Sequence, residues 1–226
     1  MANNKLTGSF YTPHKLIEYM VNYASTRMKP CSILEPSAGD GRFVSPLLKL
    51  NAPITLVEFE SDKVNSLNER FGEKCSVREG DFLKYSLEHE AQYDLIIGNP
   101  PYITKKTLPA DQCARSLKLV QQFNLNPTLF QNVWVSFILA SLKLLSPTGS
   151  IFFVLPFEFL QVQYAEKLRN FLEDKFNTIE ITTFEDRVFT DITVISDRKT
   201  LAFSVFQPDE RRLMITAGSC FSNTVG

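Results

Sequence analysis

The chain has 226 residues, of which 44% are apolar and 22% charged, a composition typical of a globular protein with a sizeable core. Its net charge of −1 and pI near 6.2 argue against tight duplex binding by this chain alone, because such binding depends on many Lys and Arg contacts to phosphate. No apolar run reaches membrane-spanning length and residues 1–5 lack a signal-peptide pattern, so we expect a cytoplasmic protein. Two histidines and four scattered cysteines argue against a metal site.

Residues 8–13 form a turn-like opening, and a helical pattern follows. Apolar side chains recur at the spacing of one helix face, at Leu16, Ile17, Met20, Val21 and Ala24. Thr12 before Pro13 resembles an N-cap followed by a proline at the first helical position, which predicts the start of the helix. Helix N-termini also favour polar ligand groups, so a ligand role for this segment stays open.

Residues 31–43 predict a short strand, a tight loop of small residues and a helix, which is the nucleotide-binding opening of a doubly wound fold. The loop residues Gly39-Asp40-Gly41 lack the third glycine of the dinucleotide fingerprint. Glu35 and Asp40 would repel a pyrophosphate. Both acids suit a ligand with positive charge, such as a sulfonium that also carries an ammonium group.

Two further strands are predicted at residues 54–60 and 75–83, separated by a helix over 62–71. The acid that ends the second strand in such folds hydrogen-bonds ribose hydroxyls, which points to Glu58. Near the end of the third strand, Asp81 could accept from a nucleobase amine while Phe82 flanks the ring. An acid at a strand end is more often a solvated cap. Glu58 and Asp81 are nevertheless candidate ligand-binding residues, because both follow the glycine loop in the expected order.

Residues 94–98 predict a buried parallel strand that ends abruptly at Asn99-Pro100-Pro101-Tyr102. Consecutive prolines cannot donate to a sheet ladder, and ligands of open α/β sheets bind beyond the carboxyl ends of the strands. The Asn99 side-chain oxygen and the Pro100 carbonyl can accept the protons of an exocyclic amine, while Tyr102 stacks on its ring. The alternative is a strand that ends in a Pro-Pro turn with an incidental tyrosine.

The remaining chain continues the alternation of helices and strands. Residues 103–128 are the most basic local stretch and contain a helix from about 109 to 123, which is either a lid or, more simply, a solvated loop helix. Further elements are predicted as helices at 130–145 and 165–176, strands at 150–156 and 179–184, and an antiparallel hairpin at 193–196 and 201–206. The pattern predicts an α/β fold with a mostly parallel seven-stranded sheet, an antiparallel C-terminal hairpin, and a polar tail over 207–226.

Three motifs occur in order: Phe10-Tyr11-Thr12-Pro13, Leu34–Gly41 and Asn99–Tyr102. This set resembles the S-adenosylmethionine-dependent adenine-N6 DNA methyltransferases of bacterial restriction–modification systems, over residues 8–206. The resemblance implies a Rossmann-like class I methyltransferase fold, S-adenosylmethionine as cofactor and double-stranded DNA as substrate. Asn99 follows Asp40 by only 59 residues, so no recognition domain fits between them. We therefore expect residues 1–206 to be the catalytic domain, and 207–226 to be a tail or the start of a missing DNA-recognition region.

The resemblance also implies roles for individual residues. The catalytic residues are expected to be Asn99, Pro100, Pro101 and Tyr102, with Tyr102 and Phe189 stacking on a flipped target base. Glu35 and Asp40 would face the amino-acid end of the cofactor, Glu58 its ribose, and Asp81, Phe82 and Phe137 its adenine. The complete expected cofactor site is Tyr11, Thr12, Pro13, Glu35, Pro36, Ala38, Gly39, Asp40, Gly41, Glu58, Phe59, Asp81, Phe82, Asn99 and Phe137.

Two other readings stay open. The same Asn-Pro-Pro-Tyr tetrapeptide would serve a methyltransferase that acts on an RNA base or on a protein glutamine amide. Alternatively, the chain is a fragment or subunit that binds cofactor and is inactive without a separate DNA-recognition partner. A cognate endonuclease is a further partner that the resemblance implies.

Overall fold

The computed structural model of the chain describes residues 12–156, 158–182 and 212–218. Tyr11 and Phe189 lie outside the described residues, and so does the hairpin predicted at 193–206. The strands are β1 Ile33–Glu35, β2 Ile54–Glu58, β3 Cys75–Glu79, β4 Tyr93–Gly98, β5 Leu145–Pro156, β6 Thr178–Thr182 and β7 Arg212–Gly218. The helices are α1 His14–Arg27, α2 Val44–Leu47, α3 Ser61–Phe71, α4 Phe82–Glu88, α5 Ala110–Gln122, α6 Val133–Leu144, α7 Glu158–Gln161 and α8 Gln163–Glu173.

The seven strands form one sheet in the order β3-β2-β1-β4-β5-β7-β6, and every described pair is parallel. The order in which successive strands are added to the sheet reverses between β1 and β4, which are neighbours in the sheet although they are distant in sequence. Ligands of doubly wound sheets bind at this switch point, beyond the carboxyl ends of the strands. The predicted α/β fold with a seven-stranded, largely parallel sheet is confirmed.

Alternating side chains of the central strands feed two separate cores, as the period of two of a β-strand requires. Leu34 of β1 and Ile96 of β4 pack on the face covered by α4, α5, α6 and α8. Ile33 and Leu95 pack on the opposite face, against α1, α2 and α3. Because both faces are covered, the central strands read as continuous apolar runs in the sequence. None of the helices in the described part of the chain has the length and apolar character needed to cross a bilayer.

Two local predictions, the cap of the first helix and the end of the third strand, differ from the structure. Helix α1 begins at His14 with Pro13 as its N-cap, and Thr12 does not cap it. Strand β3 ends at Glu79 and not at residue 83, because Gly80 has a φ of 141° that breaks the strand. Phe82 and the residue after it therefore open α4, with Asp81 as the N-cap. The polar residues that cap helices also occur where strands end, so the sequence pattern did not distinguish a helix N-cap at Asp81 from the end of a strand.

Strand β7 falls in the segment that the sequence pattern assigned to a tail. It lies between β5 and β6 and pairs with both, so residues 212–218 are part of the sheet. Met214 and Ile215 are buried and pack in different cores, one on each face of the sheet. The partner strands of β7 are distant along the chain. Only the tertiary pairing identifies it.

Candidate active site

A cavity of about 310 Å³ opens at the carboxyl ends of β1, β2 and β4. This volume lies at the lower end of the range that is usual for small-molecule sites. On the side of the glycine loop its wall contains six of the predicted residues: Thr12, Glu35, Pro36, Ala38, Gly39 and Asp40. Seven more predicted residues also line the cavity: Glu58, Phe59, Asp81, Phe82, Asn99, Pro101 and Phe137.

Four described residues of the predicted site do not line this cavity. Pro13 lies at the start of α1 beside Thr12, and Pro100 is buried between two wall residues. Gly41 faces α3, where an added Cβ would lie 2.7 Å from Leu67 Cδ2. Gly41 thus serves the packing of the loop on that helix and makes no wall contact. Tyr102, the fourth of these residues, lies beside Asn99.

The glycine loop owes its shape to two residues in the left-handed region. Gly39 has a φ of 57° and Gly41 a φ of 78°, which is a backbone conformation that glycine adopts at little cost. The Ala38 N–H donates to the Val57 carbonyl at 3.0 Å and ties the loop to β2. At Gly39 an added Cβ would meet no atom within 4 Å. The backbone of Gly39 therefore faces open space in the cavity.

Glu58, at the end of β2, is only 7% exposed and links two loops. Its Oε2 accepts the Gly39 N–H at 2.7 Å, and its Oε1 accepts the Glu60 N–H at 2.9 Å. Each carboxylate oxygen has a second lone pair that can accept from a ligand hydroxyl. Phe59 follows directly and is 63% exposed at the rim of the cavity.

Glu35, at the end of β1, is 1% exposed, and its Oε2 has no hydrogen-bond partner among the described residues. Burial, followed by repulsion from Glu58 and Asp40, raises the pKa of the Glu35 carboxyl well above its usual range. Asp40 itself pairs with Arg42 at 2.8 Å in a half-exposed position. The charges that act most on Glu35 are thus two carboxylates, while the Arg42 guanidinium, which also lines the cavity, is paired with Asp40.

The opposite end of the cavity is built by the start of α4. Asp81 Oδ1 caps α4 by accepting the Leu83 N–H at 2.7 Å, and its Oδ2 accepts from Arg115 Nη1 at 2.6 Å. The rings of Phe82 and Phe137 lie beside this carboxylate, with their centroids 5.0 Å apart. This end offers a fixed carboxylate next to aromatic rings.

Asn99 lies just past β4, which neighbours β1 on the side away from β2 and β3. The Ser37 hydroxyl donates to its carbonyl oxygen at 3.0 Å and joins the glycine loop to the Asn-Pro-Pro-Tyr turn. The Tyr102 hydroxyl lies 2.8 Å from Asn99 Oδ1 and 3.0 Å from the carbonyl oxygen of Val154. The Tyr102 ring packs against the core on the α5 and α6 face.

The segment after Tyr102 contributes wall residues that the sequence analysis did not single out. Ile103, Pro109 and Gln112 line the cavity. The segment is fixed, because the Val133 N–H donates to the Ile103 carbonyl at 2.9 Å and Arg115 of α5 also pairs with Asp111 at 2.8 Å. The sequence pattern predicted a helix from about 109 to 123, whereas the position of that helix over the cavity was not predicted.

Comparison with known proteins identifies the family. Residues 44–189 match the family described as Eco57I restriction-modification methylase. The chain belongs to this family. The matched region includes Asn99–Tyr102, and it begins after the glycine loop.

Curated relatives of the chain are type II methyltransferases. M.HincII of Haemophilus influenzae is 32% identical over 187 residues, which is 80% of this chain and 34% of the relative. M.BanIII of Aneurinibacillus aneurinilyticus is 28% identical over 217 residues, covering 82% of this chain and 37% of the relative. The chain thus spans about a third of the length of the curated relatives that it matches.

Solved structures show the same fold. A structure from Listeria monocytogenes that is assigned to the class I S-adenosylmethionine-dependent methyltransferases superposes with a TM-score of 0.59, at 16% identity, over 91% of this chain and 64% of that one. The restriction-modification methylase therefore has the class I methyltransferase fold, and S-adenosylmethionine is the cofactor.

The described residues of this methylase fit that cofactor chemically. The partnerless Glu35 oxygen and nearby Asp40 suit a cationic amino-acid end. Glu58 offers acceptors to hydroxyls, and the carboxylate and rings at the start of α4 suit an amino-substituted heterocycle. Their order along the cavity matches the order of these groups in S-adenosylmethionine.

Proposed function

We propose that this chain transfers the methyl group of S-adenosylmethionine to the exocyclic N6 amine of an adenine in DNA. The observation that carries the proposal is the position of Asn99, whose carboxamide lines the same cavity as Glu35 and Glu58. An amine acceptor placed there lies beside the cofactor. Membership of a restriction-modification methylase family supports DNA as the substrate.

In this proposal the cofactor spans the cavity from Glu35 to Asp81. Glu35 and Asp40 face its charged amino-acid end, and Glu58 accepts from its ribose hydroxyls. At the far end Asp81 accepts from the adenine amine, with Phe82 and Phe137 against the ring. Phe59, exposed at the rim, covers the ring from solvent.

The bound cofactor supplies an electrophilic methyl group on a sulfonium. Asn99 Oδ1 and the Pro100 carbonyl accept the two hydrogens of the target amine, which orients the nitrogen lone pair and makes it more available for attack. The prolines fix this geometry, because their φ angles are restricted and they cannot join the sheet ladder. Positioning and electrostatics then supply most of the acceleration. No cysteine lies in the motif, and the transfer needs no covalent intermediate.

The target base must leave the duplex, since its amine cannot be reached within the stack. Tyr102 and Phe189 are proposed to stack on the extruded base. Stacking on an aromatic ring contributes about 1–3 kcal/mol per base, which offsets part of the unstacking cost. The Tyr102 hydroxyl is 2.8 Å from Asn99 Oδ1, so a base against this ring lies next to the proposed amine acceptor.

A second candidate function follows from length and charge. The chain spans about a third of the curated relatives, and its net charge of −1 gives it little general attraction to phosphate. In this alternative the chain binds cofactor and needs a separate or additional DNA-recognition region before it methylates. Both candidates share the cofactor site and differ in the activity of the chain alone.

The test uses tritiated S-adenosylmethionine with unmethylated duplex DNA, structured RNA or a protein mixture as acceptor. We expect label in DNA, recovered as N6-methyladenine after nucleoside analysis. Label in cytosine, or in RNA or protein alone, would contradict the proposal. Cofactor binding without any transfer would support the second candidate, which a gel shift with and without a candidate recognition subunit then examines.

A further inference from the structure

Helix α5 forms one wall of the cavity at the end where Asp81 lies. Pro109 precedes the helix and Gln112 lies in its first turn, and both line the cavity. The helix is anchored there by Arg115, which bonds Asp81 Oδ2 at 2.6 Å. The wall is therefore held in place by an ion pair to a residue of the cavity itself.

Gln112 is half-buried at the cavity wall, and its carboxamide has no hydrogen-bond partner among the described residues. By contrast, Gln131 Nε2 donates to the Thr128 carbonyl at 2.9 Å. The donor and the acceptor of Gln112 are therefore both available to a bound molecule. Such a group at a cavity wall is suited to bonding a ligand.

Gln112 and Asp81 border the same end of the cavity. Gln112 precedes Arg115 by three residues, so the two side chains lie on one face of α5, and Arg115 contacts Asp81. Asp81 is an acceptor whose two oxygens are already fixed by the Leu83 N–H and the Arg115 guanidinium. The carboxamide of Gln112 adds both a donor and an acceptor beside it.

We propose that Gln112 recognises the N6 and N7 edge of the cofactor's adenine, an inference that rests on the proposed function. Asp81 accepts one hydrogen of the N6 amine. The Gln112 side-chain oxygen accepts the second, and its amide nitrogen donates to N7, which is the bidentate pairing that glutamine makes with adenine. Gln112 is thereby a specificity-determining residue for the cofactor, supplied by a helix outside the three sequence motifs.

The inference is tested with S-adenosylhomocysteine and its 7-deaza analogue, in which a C–H replaces N7. The dissociation constants of both are measured by calorimetry for the full chain. We expect the wild-type protein to bind the 7-deaza analogue about 3- to 10-fold more weakly, the effect of one neutral hydrogen bond. The Gln112→Ala variant is expected to bind both compounds equally, and more weakly than the wild type binds the parent compound.

Gln121→Ala is the matched control, since Gln121 lies exposed near the end of the same helix. It is expected to retain the wild-type preference. Gln112→Glu keeps the size of the side chain and removes the donor, so it is expected to abolish the preference for N7 as well. Circular dichroism verifies that each variant is folded.

Three outcomes are distinguishable. Loss of the N7 preference in both Gln112 variants supports the inference. A wild-type preference retained by Gln112→Ala overturns it and leaves the proposed function intact. Failure of the wild-type chain to bind S-adenosylhomocysteine overturns the proposed function and this inference together.

Discussion

The hydroxyl of Tyr102 lies 2.8 Å from Oδ1 of Asn99 and 3.0 Å from the carbonyl oxygen of Val154. Its single hydrogen serves these two acceptors, so the orientation of the Asn99 carboxamide is linked to the end of β5. Asn99 Oδ1 retains a second lone pair for a ligand amine. Tyr102 thus holds the side chain that the proposed mechanism needs, in addition to offering its ring.

Replacing Tyr102 with phenylalanine removes this hydroxyl and keeps the ring. We expect the rate of methyl transfer to fall about 2- to 10-fold, because a neutral hydrogen bond contributes about 0.5–1.5 kcal/mol. Tyr102→Ala loses the stacking surface as well and should bind DNA more weakly. Single-turnover rates and DNA dissociation constants separate the two effects. Tyr19→Phe, at an exposed position on α1, is the control, and an unchanged rate for Tyr102→Phe would exclude a positioning role for the hydroxyl.

Asn99→Ala is predicted to abolish methyl transfer while cofactor affinity stays within about twofold of wild type. The loss should be at least about 100-fold, as for the removal of a transition-state hydrogen-bonding group. The backbone bond from Ser37 to the Asn99 carbonyl does not depend on the side chain, so the turn should keep its shape. Cofactor titration and tritium transfer are measured on the same preparation. Asn170→Ala, exposed on α8, should behave like wild type; appreciable turnover by Asn99→Ala would remove this residue from the mechanism.

Glu35→Gln is predicted to stabilise the fold near neutral pH. The pKa of Glu35 is raised in the folded state, chiefly by burial and then by Glu58 and Asp40, so the native state binds the proton more tightly than the unfolded state. The free energy of unfolding of the wild type therefore falls as the pH rises from the ordinary pKa of a glutamate to the raised one, by about 1.4 kcal/mol for each pH unit between them. The glutamine variant lacks this decline. Urea unfolding at a series of pH values measures it.

The same substitution should weaken binding of S-adenosylmethionine, because the neutral amide offers no charge to the ammonium and sulfonium groups. A gain in stability together with a loss in affinity would identify Glu35 as a site where function opposes stability. Glu166→Gln, exposed on α8, is the control for both measurements. Equal stability of Glu35→Gln and wild type across the pH series would contradict the raised pKa.

Arg115→Leu is predicted to weaken cofactor binding although Arg115 does not line the cavity. Its guanidinium fixes Asp81 at 2.6 Å and also pairs with Asp111 at 2.8 Å. A hydrogen bond to a charged group contributes about 1.5–3 kcal/mol, and part of that sum should appear as lost cofactor affinity. Lys118→Leu, one turn further along α5 and exposed, provides the comparison. Arg115→Lys should recover part of the affinity, and unaltered affinity in Arg115→Leu would show that Asp81 needs no such support.

Local sequence patterns predict some of the residues that line the cavity and miss others. Glu35 and Glu58 end β1 and β2, and Asn99 directly follows β4. Because parallel strands end at one edge of the sheet, the proximity of these three residues could be expected from the strand pattern. Gln112 lies on a helix that enters from outside this pattern. No spacing rule connects it to Asp81, because their proximity depends on the Arg115 ion pair.

The sequence by itself determined the α/β alternation, the glycine loop and the Asn-Pro-Pro-Tyr turn, because helix and strand periods and proline chemistry act over a few residues. The tertiary structure decided that Gly41 packs on α3, that Asp81 caps α4 and that β7 inserts between β5 and β6. It also decided that Tyr102 bonds the Asn99 carboxamide. Most of these contacts join segments that are distant along the chain, and their free energy depends on the packing of the whole domain, which no local pattern records.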